Sequence, residues 1–198
     1  MRRPDGDVAN WLTGLLAGAV LVALWAAGPA VTGVLRYERT AIQDGQWWRL
    51  ATGHLVHADG AHLAWNLAGA ALVGWLFAGE YTWRAWCAIA LASVAAIDAG
   101  FLVLQPGLEW YVGLSGVLHG CMAAGLAAWL ARRRDPLVVA IAVVFAAKLA
   151  WEQWHGALPF TAGTLDVPVV VEAHGYGAIG GLAAAAALGF GRRRRATL

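Results

Sequence analysis

Residues 112 to 131 read Val-Gly-Leu-Ser-Gly-Val-Leu-His-Gly-Cys-Met-Ala-Ala-Gly-Leu-Ala-Ala-Trp-Leu-Ala. Apart from Ser115 and His119 the run is apolar or glycine, and it has about the 20 residues a helix needs to cross ~30 Å of hydrocarbon. Five more apolar stretches surround it, at roughly 8 to 30, 61 to 79, 84 to 104, 136 to 154 and 169 to 190. The chain is 60% hydrophobic and 13% charged, with a mean hydropathy of +0.59, so it has too little polar surface to cover a soluble globule. Lipid cannot satisfy bare backbone amides, so each stretch is predicted to be a helix and the six to pack as one bundle. The expectation is an all-α polytopic membrane protein, a single integral membrane domain over residues 1 to 198 with no soluble one.

Positive charges orient that bundle. Arg2 and Arg3 precede the first stretch, Arg84 lies between the second and third, Arg132 to Arg134 between the fourth and fifth, and Arg192 to Arg195 after the sixth. If six helices alternate, these ten fall on one side, and Arg near helix ends is retained on the cytoplasmic side. Both termini are therefore expected in the cytoplasm, with the protein in a bacterial inner membrane. Arg36, Arg39 and Arg49 are exceptions that share a long first external loop with Glu38 and Asp44. Trp83, Trp86 and Trp129 near cytoplasmic helix ends, and Trp110, Trp151 and Trp154 near external ones, fit interfacial belts. The first stretch follows Arg2 and Arg3 as a secretory signal would, but its ~22 residues and the later helices favour a retained span. Cys87 and Cys121 read as small buried hydrophobes.

In this arrangement the second, fourth and sixth stretches run from outside to inside, so their first halves share the outer leaflet. The second carries His62 and Asn66, the fourth Ser115 and His119, the sixth His174. His62 with Asn66, and Ser115 with His119, are each spaced to share a helix face. Such side chains are costly at this depth and face a cavity or one another. A serine hydroxyl becomes a nucleophile when a positioned base takes its proton, and histidine has a suitable pKa for that role. Ser115 with His174 can form such a dyad. The amide of Ser115, the imidazole of His62 and the carboxamide of Asn66 can then supply donors to an oxyanion. Gly113 and Gly116 let backbone approach a substrate closely. Asp98 is the only intramembrane Asp and does not read as the orienting member of a triad.

Each feature also has a plainer reading. Gly-x-Ser-Gly runs are routine at membrane helix contacts, and His174-Gly175-Tyr176-Gly177 with Gly180 and Gly181 can be a close-packing face. His62 and Asn66 can simply bond neighbouring helices, a contact worth roughly 1 kcal/mol. Their conjunction, at one depth and in one orientation, is what points to a hydrolytic site. Lys148 and Glu152, one turn apart, read either as a mutually neutralising pair reaching for the interface or as groups facing the cavity. No His-Glu-x-x-His or paired-Cys motif exists, so no metal, nucleotide or redox cofactor is expected. Arg192 to Arg195 read as a topology anchor, not a nucleic-acid patch. A small transporter would also place polar residues at mid-depth, but with broken helices and an internal repeat, neither of which is evident.

Taken together, these residues resemble the rhomboid family of intramembrane serine proteases over about residues 35 to 190. The matching features are Trp48-Arg49 in the first loop, His57 followed by His62-Leu63-Ala64-Trp65-Asn66, the Gly113 to Gly116 run, and Ala173-His174 with Gly177 and Gly181. The resemblance implies a rhomboid-like bundle of six transmembrane helices with Ser115 as nucleophile, His174 as general base, and His62 with Asn66 as oxyanion stabilisers. It also implies a first loop half-buried in the outer leaflet and lateral entry of membrane-anchored protein substrates from the bilayer. Gly113, His119, Lys148 and Glu152 are candidate supporting residues. His119 stands where many rhomboids carry a Tyr that packs on the catalytic His. Glu80 does not fall at the spacing common in the family and receives no role.

A narrower resemblance is to the rhombosortase branch. Gly45-Gln46-Trp47-Trp48-Arg49-Leu50, His54-Leu55-Val56-His57, Ser115-Gly116-Val117-Leu118-His119-Gly120 and Lys148-Leu149-Ala150-Trp151-Glu152-Gln153 carry it. It implies substrates that are exported proteins with a C-terminal Gly-Gly step, membrane helix and basic tail. The alternatives are a rhomboid protease of other substrates, and an inactive rhomboid-like protein that binds membrane helices. Retention of both Ser115 and His174 argues against the inactive protein. The oligomeric state has no signature in the chain.

Overall fold

The computed structural model describes residues 4–132, 135–159, 163 and 167–196. Arg2, Arg3, Arg133 and Arg134, and the side chains of Arg192 to Arg195, lie outside the described residues, and most of the charge asymmetry rests on them. A helix forms in each of the six apolar stretches: α1 (Pro4–Ala26), α5 (Gly60–Phe77), α6 (Trp83–Leu104), α7 (Ser115–Arg132), α8 (Pro136–His155) and α9 (Glu172–Ala196). Between α1 and α5 lie α2 (Pro29–Leu35), β1 (Tyr37–Glu38), α3 (Arg39–Gln43) and α4 (Trp48–Thr52), and between α6 and α7 lies β2 (Trp110–Tyr111).

Val8–Ala26 of α1, α6 and α8 are long and apolar enough to cross a membrane. Helices α5 and α7 have 18 residues each, and their apolar character is diluted by glycines and by His62, Asn66 and His119. The side chains that suggest a site are thus the same ones that blur the span. The helix starts are capped as their sequences direct. Asp59 accepts from the His62 amide at 2.7 Å to begin α5. Asp135 accepts from Leu137 N–H at 2.9 Å to begin α8, with Pro136 in the first turn.

Helix α9 packs on α7 and α6 along facing glycines. A Cβ on Gly116 would lie 2.8 Å from the Ala173 carbonyl oxygen, one on Gly120 2.6 Å from that of Gly177, and one on Gly180 2.5 Å from that of Ala92. Gly181 likewise has no room for a methyl group against the Gly120 carbonyl. Small residues let backbones meet, and van der Waals contact of that kind drives helix association in lipid. Ser115 precedes Gly116 and His174 lies just before Gly177, so the glycine contact sets both at one level.

The first loop is a folded unit of short elements. β1 pairs antiparallel with β2, Tyr37 opposite Tyr111 and Glu38 opposite Trp110. Arg39 donates from Nε to the Leu108 carbonyl at 2.8 Å and from one terminal nitrogen to the Phe101 and Gln105 carbonyls at 2.7 Å each. It thereby satisfies carbonyls left open at the end of α6. Arg49 is buried and donates to the Gly33 and Arg36 carbonyls at 2.9 Å each. Both arginines are thus structural donors within the loop. Tyr37, Tyr111, Phe101, Ile97, Val117 and Ala173 form one apolar cluster that joins the loop to α6, α7 and α9.

At the far end of the bundle, Glu80 is buried, accepts from Trp129 Nε1 at 3.0 Å and pairs with Arg132. Sequence spacing assigned Glu80 no role. Its position shows that it ties the turn after α5 to the end of α7.

Candidate active site

Ser115 is the first residue of α7, and the turn before it is held in three ways. Gly113 adopts φ +115, a left-handed conformation that favours glycine, and a Cβ there would meet His62 Nε2 at 2.5 Å. Its amide donates to the Gly53 carbonyl at 3.1 Å, and its own carbonyl accepts from the Tyr111 hydroxyl at 2.7 Å. Burial pushes the Tyr111 phenol above its ordinary value, so it stays protonated as the donor.

From this start the Ser115 Oγ reaches His174 Nε2, 3.0 Å away. His174 is buried, and His119 stacks on it with ring centroids 4.0 Å apart and planes 16° apart. His119 Nδ1 lies 2.7 Å from the Ser115 carbonyl oxygen, so His119 both packs on His174 and hydrogen-bonds within its own helix. A cavity of about 750 Å³ opens on these groups and is also lined by His62 and Asn66 of α5 and by Lys148 and Glu152 of α8. The eight candidate residues of the sequence reading therefore lie in or beside one cleft.

Two details go beyond that reading. Asn66 donates from Nδ2 to the His62 carbonyl at 2.9 Å, so one of its two amide hydrogens is spent within its own helix. Lys148 and Glu152 are a pair, 2.7 Å apart, but they do not reach for the interface: Glu152 is 3% exposed and turns inward. Its Oε2 lies 2.9 Å from His174 Nδ1. The sequence reading found no acidic residue to orient the base, having weighed only Asp98. Asp98 instead faces His54, 3.3 Å away. The available signal was the spacing of Lys148 and Glu152 at the depth of His174. His119, Glu152 and His174 stand close enough together to ligate an ion. The ammonium of Lys148 occupies their midst, contacting His119 Nε2 and lying 3.3 Å from His174 Nδ1.

His57 packs edge-on against His62, with ring centroids 5.1 Å apart, and is 1% exposed. Burial first, and His62 second, lower its pKa from 6.5 to about 4, with Asp59 opposing. The unfolded chain therefore binds a proton in that interval that the folded one refuses. The stabilisation is whole above pH 6.5 and is lost as pH falls towards 4. In thermal melts of the detergent-solubilised protein, His57→Leu is expected to flatten this acid decline. An unchanged decline in the variant would mean His57 is not its source.

The family model described as the rhomboid domain matches residues 44–190, nearly three quarters of the chain. The chain belongs to the rhomboid family. A curated relative, the rhomboid protease GluP of Bacillus subtilis (strain 168), is 30% identical over 165 residues, which cover 79% of this chain. The match covers only 30% of that relative's own length, so the rhomboid chain described here corresponds to a minor part of it. Membership of this family, with the apolar helices α1, α6 and α8, makes the chain an integral membrane protein. The matched segment contains Ser115, His174, His62 and Asn66 together with the whole cleft.

Proposed function

We propose that the protein is an intramembrane serine endopeptidase, with Ser115 as nucleophile, His174 as general base, and His62 and Asn66 as donors to the oxyanion. The observation that carries this reading is the 3.0 Å approach of His174 Nε2 to Ser115 Oγ at the head of an apolar cleft. At that distance the imidazole can take the hydroxyl proton as the oxygen attacks a carbonyl, and return it to the departing amine. The Ser115 amide opens α7, so it is one of the helix-start N–H groups without an intrahelical partner and can aim at the developing oxyanion. The Bacillus subtilis relative is a protease, which agrees in reaction class.

Substrates are membrane-anchored proteins that reach the cleft from the bilayer. All six long helices span, both termini are cytoplasmic, and the cleft faces the exterior of a bacterial inner membrane. A substrate helix hides its carbonyls in intrahelical bonds, so cleavage needs local unwinding. Each Gly lowers helix stability by about 1 kcal/mol relative to Ala. A Gly-Gly step just outside a C-terminal anchor is therefore easily opened and sterically thin, in accord with the rhombosortase-like motifs around Trp48, His57, His119 and Lys148.

The test is co-expression with a reporter whose exported domain is followed by Gly-Gly, an apolar helix and a basic tail. Release of that domain on the external side is expected, with strongly reduced release from the Leu-Leu version. Equal processing of the two would reject selection for glycine and leave a rhomboid protease of other substrates. Release into the cytoplasm would invert the proposed orientation.

A further inference from the structure

We propose that Glu152 completes the site as a third member, a positioning residue that acts through His174 while Lys148 holds its carboxylate in place. This rests on the serine-protease reading and deepens it from a dyad to a Ser115–His174–Glu152 relay. The geometry is a continuous line across three helices. Ser115 Oγ on α7 lies 3.0 Å from His174 Nε2 on α9, and His174 Nδ1 lies 2.9 Å from Glu152 Oε2 on α8. Glu152 and His174 are 3% and 4% exposed, so these contacts are largely shielded from bulk solvent.

The partners fix where the protons sit. A carboxylate only accepts, so its contact with His174 requires the proton on Nδ1 and leaves Nε2 bare towards the serine hydroxyl. Lys148 Nζ, 3.3 Å from the same Nδ1, is a rival, because a lysine donating there would force the proton onto Nε2 and turn the base into a donor. Both bonds would be charge-assisted, but the carboxylate is closer, at 2.9 Å against 3.3 Å. Lys148 has better partners of its own in Glu152, at 2.7 Å, and in His119 Nε2. Accepting from Lys148 puts the His119 proton on Nδ1, where it is donated to the Ser115 carbonyl at 2.7 Å. One ammonium thereby sets the acid that orients the base, and also the ring stacked on it.

During attack the Ser115 proton moves to His174 Nε2 as the oxygen bonds to the substrate carbonyl. The imidazolium then gives that proton to the leaving amine. Glu152 neither gains nor loses a proton; its negative charge faces the imidazolium while it exists. Without it, the imidazolium would form beside Lys148 without its nearest counter-charge.

The experiment compares wild type, Glu152→Gln, Glu152→Asp and Ser115→Ala in detergent, by reporter cleavage and by the rate of labelling with a fluorophosphonate probe. Glu152→Gln is expected to lower kcat and labelling rate by about 100-fold or more while KM changes little, since a mis-set tautomer costs up to about 10,000-fold in a comparable triad. Glu152→Asp is expected to restore part of the rate. Wild-type labelling by Glu152→Gln, with none by Ser115→Ala, overturns the role of Glu152 and leaves the dyad. Labelling of Ser115→Ala overturns the underlying reading instead. Should Glu152→Gln fail to fold, nitrogen-15 NMR of histidine-labelled wild type decides: the proton on Nδ1 of His174 supports the relay, and on Nε2 refutes it.

Discussion

Ser115→Ala and His174→Ala are each expected to reduce reporter cleavage by about 1000-fold or more, to background, with the protein still inserted and folded. The proton on the hydroxyl has to leave as the oxygen attacks, and His174 Nε2, on another helix, lies within hydrogen-bonding distance of that oxygen, at 3.0 Å. Removing either end leaves no nucleophile at neutral pH. His119 stands close but is bonded to the Ser115 carbonyl, so it is not placed to substitute. His62→Ala and Asn66→Ala are expected to cost about 10-fold or more each, as losses of oxyanion donors. Turnover near wild type in Ser115→Ala would remove the mechanism.

The second large effect comes from a glycine well away from the chemistry. Gly181→Leu is expected to lower thermal stability clearly and to cost about 100-fold in activity, because a displacement of about 1 Å at a site can have that effect. Gly181 faces the Gly120 carbonyl with no room for even one carbon, so a leucine has to push α9 off α7. Overpacking of this kind costs about 1–3 kcal/mol in ordinary cores, and here it also separates the helices that carry His174 and Ser115. Gly189, on the same helix with open space beside it, supplies the control, and Gly189→Leu should be tolerated. If the two leucine variants behaved alike, the close approach would not be what sets the site.

These expectations show which parts of the molecule were legible in the sequence. Long apolar stretches are read by length alone, so helices were foreseeable at all six places, whereas the folded first loop was not. The pairing of Tyr37 with Tyr111 joins residues far apart in sequence through a two-residue ladder, which leaves no periodicity to read. Ser115, His119, His62, Asn66 and His174 were legible because polar groups in hydrocarbon are rare and these share one depth. For Glu152 the sequence left two readings open. A helix that is apolar nearly all round gives no stripe to show which side faces inward, so whether Lys148 and Glu152 pointed to lipid or to His174 depended on a rotation of α8 that only packing fixes. Arg39 and Arg49 stood out as exceptions to the charge pattern, but their role was not legible for a related reason: their carbonyl partners belong to chain ends and turns, which hydropathy does not register.

The pairing of Lys148 with Glu152 has a consequence for how the chain is made. Synthesis proceeds from the N-terminus, so α8 is complete before α9, and His174 does not yet exist when Glu152 first meets the bilayer. At that moment the one partner the carboxylate carries with it is the ammonium four residues behind on the same helix, 2.7 Å away in the finished fold. A lone charge costs about 2.5–3.5 kcal/mol at the centre of an inserting helix on translocon scales and less near its end, where Glu152 lies, and an oppositely charged pair on one helix face lowers that cost. Lys148 is thereby suited to accompany Glu152 into the membrane, and the later arrival of α9 gives the carboxylate a second partner in His174.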